Sequence, residues 1–279
     1  MPSPEYKNLI YLNQKLQIRD IFDNLLESGF SKLVRAETAG TEKNIPVKGS
    51  LVIGFLPHSG FLECVLIDRC LIGIRKKPSV WITKEDNRNN NVPKIILSPR
   101  LFIFINRESP EKTSFEAAYQ VLSTPNGTIG SALEGTRFSN PNDPSDVLTL
   151  GESKPGLMRF SYESGAPIMG VVVLGVDKAL PALDKIIKDK GKMKALELIS
   201  KTIINPPEVQ IRFLPPYTDH LNKEGKNLRG MEKKKFIESH NYLFTLRLVE
   251  EILKLDPDYP LGFYKKFKKE NNLKSTLCS

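Results

Sequence analysis

The chain has 279 residues, of which 40% are hydrophobic, and it carries a formal net charge of +9. This composition predicts a protein that folds by burying a core, and the spacing of Cys64, Cys70 and Cys278 fits neither a disulfide framework nor a zinc site. The positive charge favours a phosphate-bearing substrate or an anionic lipid surface, whereas nucleic acid is disfavoured because the chain shows no nucleic-acid-binding signature.

The N-terminal residues lack the charged start and apolar centre of a signal peptide, and no later run reaches about 18 consecutive apolar residues. We therefore expect a protein that does not span a membrane but is able to lie on one. Residues 9–26 show helical spacing of apolar side chains, which predicts an amphipathic helix or helical pair. This segment packs on the main domain or dips into a bilayer, and its mixed charge leaves both alternatives open.

Strand-like and helix-like patterns alternate after a predicted loop at 37–48. This alternation predicts an α/β domain over residues 46–220, with a mostly parallel central sheet flanked by helices. An N-terminal amphipathic helical segment (1–45) precedes it, and a basic helical C-terminal segment (221–279) follows. The predicted strands are 51–56, 79–83, 101–105, 128–133, 168–174 and 209–214, and the predicted helices are 61–74, 111–123, 156–164 and 178–202.

A candidate base follows the first predicted strand. The apolar run 51–56 stops at Pro57 and presents His58, and Glu63 lies at the start of the next predicted helix. A carboxylate that accepts a hydrogen bond from one ring nitrogen fixes the tautomer and frees the other nitrogen to take a proton. From this pair alone, a loop histidine beside an ordinary surface glutamate remains the alternative.

Further charged residues follow later strands of the same predicted sheet. Arg107 follows one strand, and Glu134 and Arg137 follow the next. Lys154 precedes a Pro-Gly turn into a predicted helix, whose N-terminus favours anions. Ligands of parallel α/β sheets bind beyond the carboxyl ends of the strands. Because guanidinium groups bind phosphate bidentately, the pattern predicts a phosphate site.

The order of these motifs resembles the glycerolipid acyltransferase family, which includes the lysophosphatidic acid acyltransferases. That family carries H-x-x-x-x-D, an apolar strand ending in arginine, Pro-Glu-Gly-Thr-Arg and a strand containing Val-Pro-Ile. The resemblance covers roughly residues 46–216. The matching segments are His58-Ser59-Gly60-Phe61-Leu62-Glu63, Phe102-Ile103-Phe104-Ile105-Asn106-Arg107, Leu133-Glu134-Gly135-Thr136-Arg137 and Ala166-Pro167-Ile168, with an echo of the family's Phe-Lys-x-Gly in Ser153-Lys154-Pro155-Gly156.

The resemblance implies acyl transfer from a thioester, on coenzyme A or acyl carrier protein, to the free hydroxyl of a lysophospholipid. His58 would be the general base and Glu63 would stabilise its imidazolium. The reaction requires no metal or cofactor. The resemblance implies that Arg107 and Arg137 hold the acceptor phosphate and that Glu134 and Gly135 shape its pocket. We place Thr136 of the same segment in this phosphate-binding set and add Lys154 from its charge and position.

Two departures from the family pattern keep alternatives open. Glu63 stands where the family usually has Asp, and Leu133 stands in place of the proline before the glutamate. The same fold acting on another acceptor, such as an amino-acid-derived lysolipid, is one alternative. A weakened, lipid-binding module without catalysis is another. A serine hydrolase is disfavoured because neither Ser59 nor Ser131 lies in a Gly-x-Ser-x-Gly elbow.

The C-terminal segment is rich in lysine, with aromatic side chains between the charges at 263–269. Such a pattern fits contact with anionic headgroups, and a solvated, frayed tail is the alternative. We therefore expect a peripheral membrane protein on the cytoplasmic face. His220 and His240 lie outside the strand-end set and are predicted to be surface or loop residues.

Overall fold

The computed structural model describes residues 35–58, 62–84, 102–106, 112–134, 149–176, 206–222, 225 and 228–265. Its strands form one sheet with the order β1-β7-β6-β2-β5-β3-β4. The strands are β1 Arg35–Ala39, β2 Leu51–Leu56, β3 Val80–Lys84, β4 Phe102–Ile105, β5 Thr128–Ala132, β6 Ile168–Leu174 and β7 Glu208–Phe213. The helices are α1 Thr41–Asn44, α2 Leu62–Arg75, α3 Lys112–Ser123, α4 Gly156–Ser164 and α5 Gly230–Leu255, with 3₁₀ turns at Asp219–Leu221 and Gly262–Tyr264.

The central sheet is mostly parallel, which confirms the predicted α/β class. Strands β6, β2, β5, β3 and β4 run in one direction. Strand β7 is antiparallel to β6, and β1 is parallel to β7. The carboxyl ends of the five co-directional strands therefore lie at one edge of the sheet, where α/β proteins bind their ligands.

Hydrophobic side chains cover both faces of the sheet because successive residues of a strand point to opposite sides. On β2, Leu51, Ile53 and Phe55 contribute to the core under α2. Val52 and Leu56 contribute to the core on the other face, which α3, α4 and α5 cover. Every residue of β2 is buried, so this strand lies at the centre of the molecule and the chain leaving it is well positioned.

Helix α5 belongs to the same core even though it follows the predicted α/β domain. It packs against β6 and α4. Two strand glycines make room for it, since a Cβ on Gly54 would lie 3.2 Å from the Phe244 ring and one on Gly170 would lie 3.0 Å from Leu248. The C-terminal part of the chain is therefore in direct contact with the site-bearing strands.

Most predicted elements agree with the structure to within one or two residues at their described ends. Strands 51–56 and 168–174 and helix 156–164 are confirmed residue for residue. The loop predicted at 37–48 is wrong, because β1 ends at Ala39 and α1 follows it. Strand β1 is an edge strand with four exposed residues, so it has no apolar alternation. The helices predicted at 9–26 and 178–202 lie outside the described residues.

None of the described helices is both long enough and apolar enough to cross a membrane.

Candidate active site

His58 leaves the buried end of β2 at the carboxyl edge of the sheet. The Leu56–Pro57 peptide bond that precedes it is cis. The imidazole is partly buried and packs edge-on against Phe55, with ring centroids 5.8 Å apart. The residue therefore lies between core and solvent, where a base can be both oriented and reached by substrate.

Glu134 follows the neighbouring strand β5 and is bonded directly to the main chain of His58. The backbone N–H of His58 donates to Oε2 of Glu134 at 3.1 Å. Strands β2 and β5 are adjacent and parallel, and Leu133 N–H extends their pairing by donating to the carbonyl of Phe55 at 3.2 Å. The two predicted motif segments therefore lie side by side.

The second oxygen of Glu134 is also occupied by a backbone amide, because Gly151 N–H donates to Oε1. The residue is only 5% exposed. The pKa of Glu134 is raised to about 7, mainly by burial and to a smaller extent by the charge of Glu63, while the amides of Gly151 and His58 act in the opposite direction. Glu134 therefore titrates near neutrality while holding two loops.

Glu63 lies in the first turn of α2 and is 1% exposed. Its charge contributes to the raised pKa of Glu134, an effect secondary to burial. It also reaches the neighbouring Cys64, whose pKa is raised mainly by burial and further by Glu63 and Asp68. Burial therefore disfavours the thiolate of Cys64, which is the form that acts as a nucleophile.

Of the residues predicted for the site, the described structure joins His58 and Glu134 by a hydrogen bond, and the charge of Glu63 acts on Glu134. Both oxygens of Glu134 bind backbone amides, and a carboxylate repels phosphate, so its position fits the support of the loops and not phosphate binding. Arg107, Gly135, Thr136 and Arg137 lie outside the described residues.

Lys154 contacts the site through its main chain. Its backbone N–H donates to the carbonyl of Leu133 at 2.8 Å. Its side chain is 61% exposed and forms an ion pair with Glu152 at 2.8 Å. The ammonium group is therefore held by a neighbour on the surface, and a phosphate contact would require it to leave that partner.

Sequence reasoning missed the residues that hold the loop before α4. Ser153 lies against Asn241, Thr245 and Tyr264, which come from α5 and the turn after it. The only signal in the sequence is that Asn241 and Thr245 are polar residues within an amphipathic helix, and this does not show that they contact Ser153. The chain separation between the partners hides this contact from any local pattern.

His220 and His240 are predicted to be surface or loop residues; His220 lies in the 3₁₀ turn between β7 and α5, but a surface position is wrong for it. That residue is 1% exposed, stacks on Tyr217 with an interplanar angle of 6°, and lies 2.6 Å from Ser161 Oγ. His240 is half-buried on α5, with Nδ1 2.5 Å from the hydroxyl of Tyr217. With Tyr217 these histidines form a packed cluster between α4, α5 and the 3₁₀ turn Asp219–Leu221.

Ser131, the strand serine considered as a nucleophile, donates its hydroxyl to the carbonyl of Ile82 at 2.9 Å. It therefore links β5 to β3.

Among the described residues no three or more His, Cys, Asp or Glu side chains are grouped in a way that would hold a metal ion.

No family model matches the chain, and no curated protein matches it significantly. Among solved structures, the chain is similar to the 1-acyl-sn-glycerophosphate (LPA) acyltransferase PlsC from Thermotoga maritima, at 15% sequence identity and a TM-score of 0.47. The alignment covers 88% of this chain and 87% of that one.

Proposed function

We propose that the chain is an O-acyltransferase of lipid metabolism. It moves a fatty acyl group from a thioester, on coenzyme A or acyl carrier protein, to the free hydroxyl of lysophosphatidic acid or a related lysolipid. The observation that carries this proposal is the hydrogen bond between the main chain of His58 and Glu134. This bond joins the segment that begins at His58 to the segment that contains Glu134. Both lie at the carboxyl edge of the sheet, and the motif pattern implies that they share one site.

The chemistry follows from the position of the base. His58 takes the proton of the acceptor hydroxyl as that oxygen attacks the thioester carbonyl, and the buried charge of Glu63 stabilises the imidazolium that forms. The new C–O bond forms, the C–S bond breaks, and the thiolate leaves with the proton that His58 returns. No acyl-enzyme is needed, because the acceptor oxygen attacks the thioester carbonyl directly.

The acceptor phosphate is assigned to arginine side chains that follow β4 and β5 in the sequence, Arg107 and Arg137. Support comes from the motif pattern and from the chemistry of guanidinium groups, which remain charged and bind phosphate oxygens in pairs. We propose that Glu134 holds the loops around that phosphate and does not bind the phosphate itself.

Release of free coenzyme A from a long-chain acyl-coenzyme A, with and without lysophosphatidic acid, tests the proposal. We expect acceptor-dependent release and a product whose mass equals acceptor plus acyl group. The replacement of the usual Asp by Glu63 makes a changed acceptor the second candidate. The assay therefore includes acyl carrier protein as donor and a panel of lysolipids, with an amino-acid-derived lysolipid among them. Absence of acceptor-dependent release with every donor and acceptor would contradict the proposal.

A peripheral position on an anionic membrane surface is part of the same proposal. The support is the net charge of +9 and the lysine-rich sequence after Tyr264. Each lysine near such a surface contributes about 1 kcal/mol. Replacing Lys265, Lys266, Lys268 and Lys269 together by glutamine leaves Tyr264 in place and should weaken co-sedimentation with phosphatidylserine vesicles. Unchanged sedimentation would contradict a membrane role for these lysines.

A further inference from the structure

The loop from Leu150 to Lys154 lies between the candidate site and the C-terminal part of the chain. On the site side, Gly151 N–H donates to Glu134, and Lys154 N–H donates to the carbonyl of Leu133 at 2.8 Å. Leu150 is fully buried. The position of the Glu134 carboxylate therefore depends on where this loop lies.

Residues from α5 and from the turn that follows it hold the other side of this loop at Ser153. The backbone N–H of Ser153 donates to the hydroxyl of Tyr264 at 3.1 Å. The side-chain hydroxyl of Ser153 accepts from Nδ2 of Asn241 at 2.8 Å and lies 2.9 Å from Oγ1 of Thr245. All four side chains are buried, at 8% exposure or less, so these contacts are shielded from water.

The same turn also pairs with Leu150 through its backbone. Leu150 N–H donates to the carbonyl of Pro260 at 3.2 Å, and Phe263 N–H donates to the carbonyl of Leu150 at 2.8 Å. Gly262 between them has φ +52°, and a Cβ there would overlap the carbonyl oxygen of Leu150. This close approach requires a glycine, because another residue would be strained in φ and would displace the loop.

These contacts form one continuous chain from the C-terminal turn to the candidate base. Tyr264 holds Ser153, the loop places the Gly151 amide on one oxygen of Glu134, and the other oxygen holds the His58 amide. Tyr264 itself is 3% exposed. Burial raises the pKa of Tyr264, and the charge of Glu134 raises it to a smaller extent. The tyrosine therefore acts through the loop and does not need to touch substrate.

We propose that Tyr264, acting with Thr245 and Ser153, is a positioning residue for His58. The expected effect on kcat rests on the proposed acyltransferase function. The positioning itself concerns the main chain of His58 and is measured separately, by amide hydrogen exchange. The C-terminal turn at Gly262–Tyr264 thereby becomes part of the active-site scaffold.

Tyr264→Phe tests this directly, because it removes the oxygen that accepts from Ser153 and leaves the ring in place. Loss of one buried hydrogen bond predicts a kcat lower by about 2- to 10-fold. The KM for the acyl thioester should stay unchanged, since Tyr264 is buried behind the loop and acts through it. The matched control is Tyr242→Phe on α5, where the tyrosine is 48% exposed, and it should behave as wild type.

Amide hydrogen exchange measured on the same proteins separates this inference from the proposed function. Exchange at Gly151 and His58 should be faster in Tyr264→Phe than in wild type or Tyr242→Phe. Thr245→Val should behave like Tyr264→Phe, and Thr245→Ser, which keeps the hydroxyl, should restore the wild-type values. This pair also provides the test if Tyr264→Phe does not fold.

Unchanged exchange at Gly151 and His58, or an unchanged kcat in an active enzyme, would overturn the positioning role. Faster exchange in a protein that shows no acceptor-dependent turnover would support the positioning of His58 and contradict the acyltransferase proposal alone.

Discussion

The backbone N–H of His58 donates to Oε2 of Glu134 at 3.1 Å, across a sequence separation of 76 residues. Because the bond is made to the main chain, Glu134 positions the loop after β2 whatever the tautomer of the imidazole. The other oxygen of Glu134 holds Gly151, so one buried carboxylate fixes two loops relative to β5. Through this bond the geometry of the candidate base depends on Glu134.

Glu134→Gln should lower kcat by about 10-fold, because an amide group presents one acceptor oxygen where two backbone amides need a partner. The NH₂ group would face either His58 N–H or Gly151 N–H, and that loop would shift. Steady-state coenzyme A release measures the effect. Glu238→Gln, at a half-exposed position on α5, is the control. A Glu134→Gln protein with wild-type kcat would refute the positioning role of this carboxylate.

Glu63→Gln should lower kcat by about 100-fold, because a neutral amide cannot stabilise the imidazolium of His58. Glu63→Asp keeps the charge at a shorter reach, so its activity should lie between those of wild type and Glu63→Gln. The charge change should also lower the pKa of Glu134, which NMR titration of that carboxyl detects. If Glu63→Gln turns over as fast as wild type, Glu63 has no part in the chemistry.

The buried His220 should make the protein less stable on acidification. Burial, assisted by the charge of His240, lowers the pKa of His220 to about 4, and Asp219 acts in the opposite direction. Since the unfolded histidine titrates near 6.5, the unfolded chain binds more protons between pH 6.5 and 4. Stability is therefore lost as the pH falls through this window, by up to about 1.4 kcal/mol per pH unit from this residue.

The measurement for His220 is urea unfolding at pH 7 and pH 5 for wild type and His220→Phe. Phenylalanine keeps a ring to stack on Tyr217 but does not titrate. The difference in unfolding free energy between the two pH values should be smaller in the variant, with the remainder coming from other groups such as His240. Equal differences in the two proteins would show that His220 does not carry the effect.

Gly130→Ala should destabilise the fold by about 1–3 kcal/mol, because a new methyl group must displace a buried aromatic ring. A Cβ on Gly130 would lie 2.6 Å from the ring of Trp81, which is 1% exposed. Gly73 on α2 is the matched control, since a Cβ there meets nothing within 4 Å. Gly73→Ala should stabilise the helix by about 0.5–1 kcal/mol. Thermal or urea unfolding measures both, and equal effects would contradict the packing argument.

The sequence predicts the centre of this fold well because the central strands are continuous apolar runs. Strands β2 and β6 are buried throughout and have the predicted bounds. Strand β1 could not be predicted in this way, because it is a polar edge strand held by backbone pairing to β7. Local hydrophobic patterns indicate which residues are buried, and an exposed edge strand has few buried residues.

The candidate site is predictable to the extent that it lies at strand ends. His58 and Glu134 come together because β2 and β5 are adjacent and parallel. The contribution of Tyr264 could not be predicted, since it acts through the backbone of a loop distant in sequence. Lys154 is assigned to the phosphate site from its charge and position, and neither of these shows that its ammonium group pairs with the neighbouring Glu152.

The most direct test of the acyltransferase account compares wild type, His58→Ala and His240→Gln in the coenzyme A release assay with the best lysolipid acceptor. A positioned general base contributes about 100- to 10,000-fold to the rate, so His58→Ala should lose at least 100-fold of the acceptor-dependent turnover. His240→Gln, which changes a histidine outside the site, should retain it when assayed well below its melting temperature. A His58→Ala protein that folds like wild type and keeps nearly full turnover would contradict the mechanism.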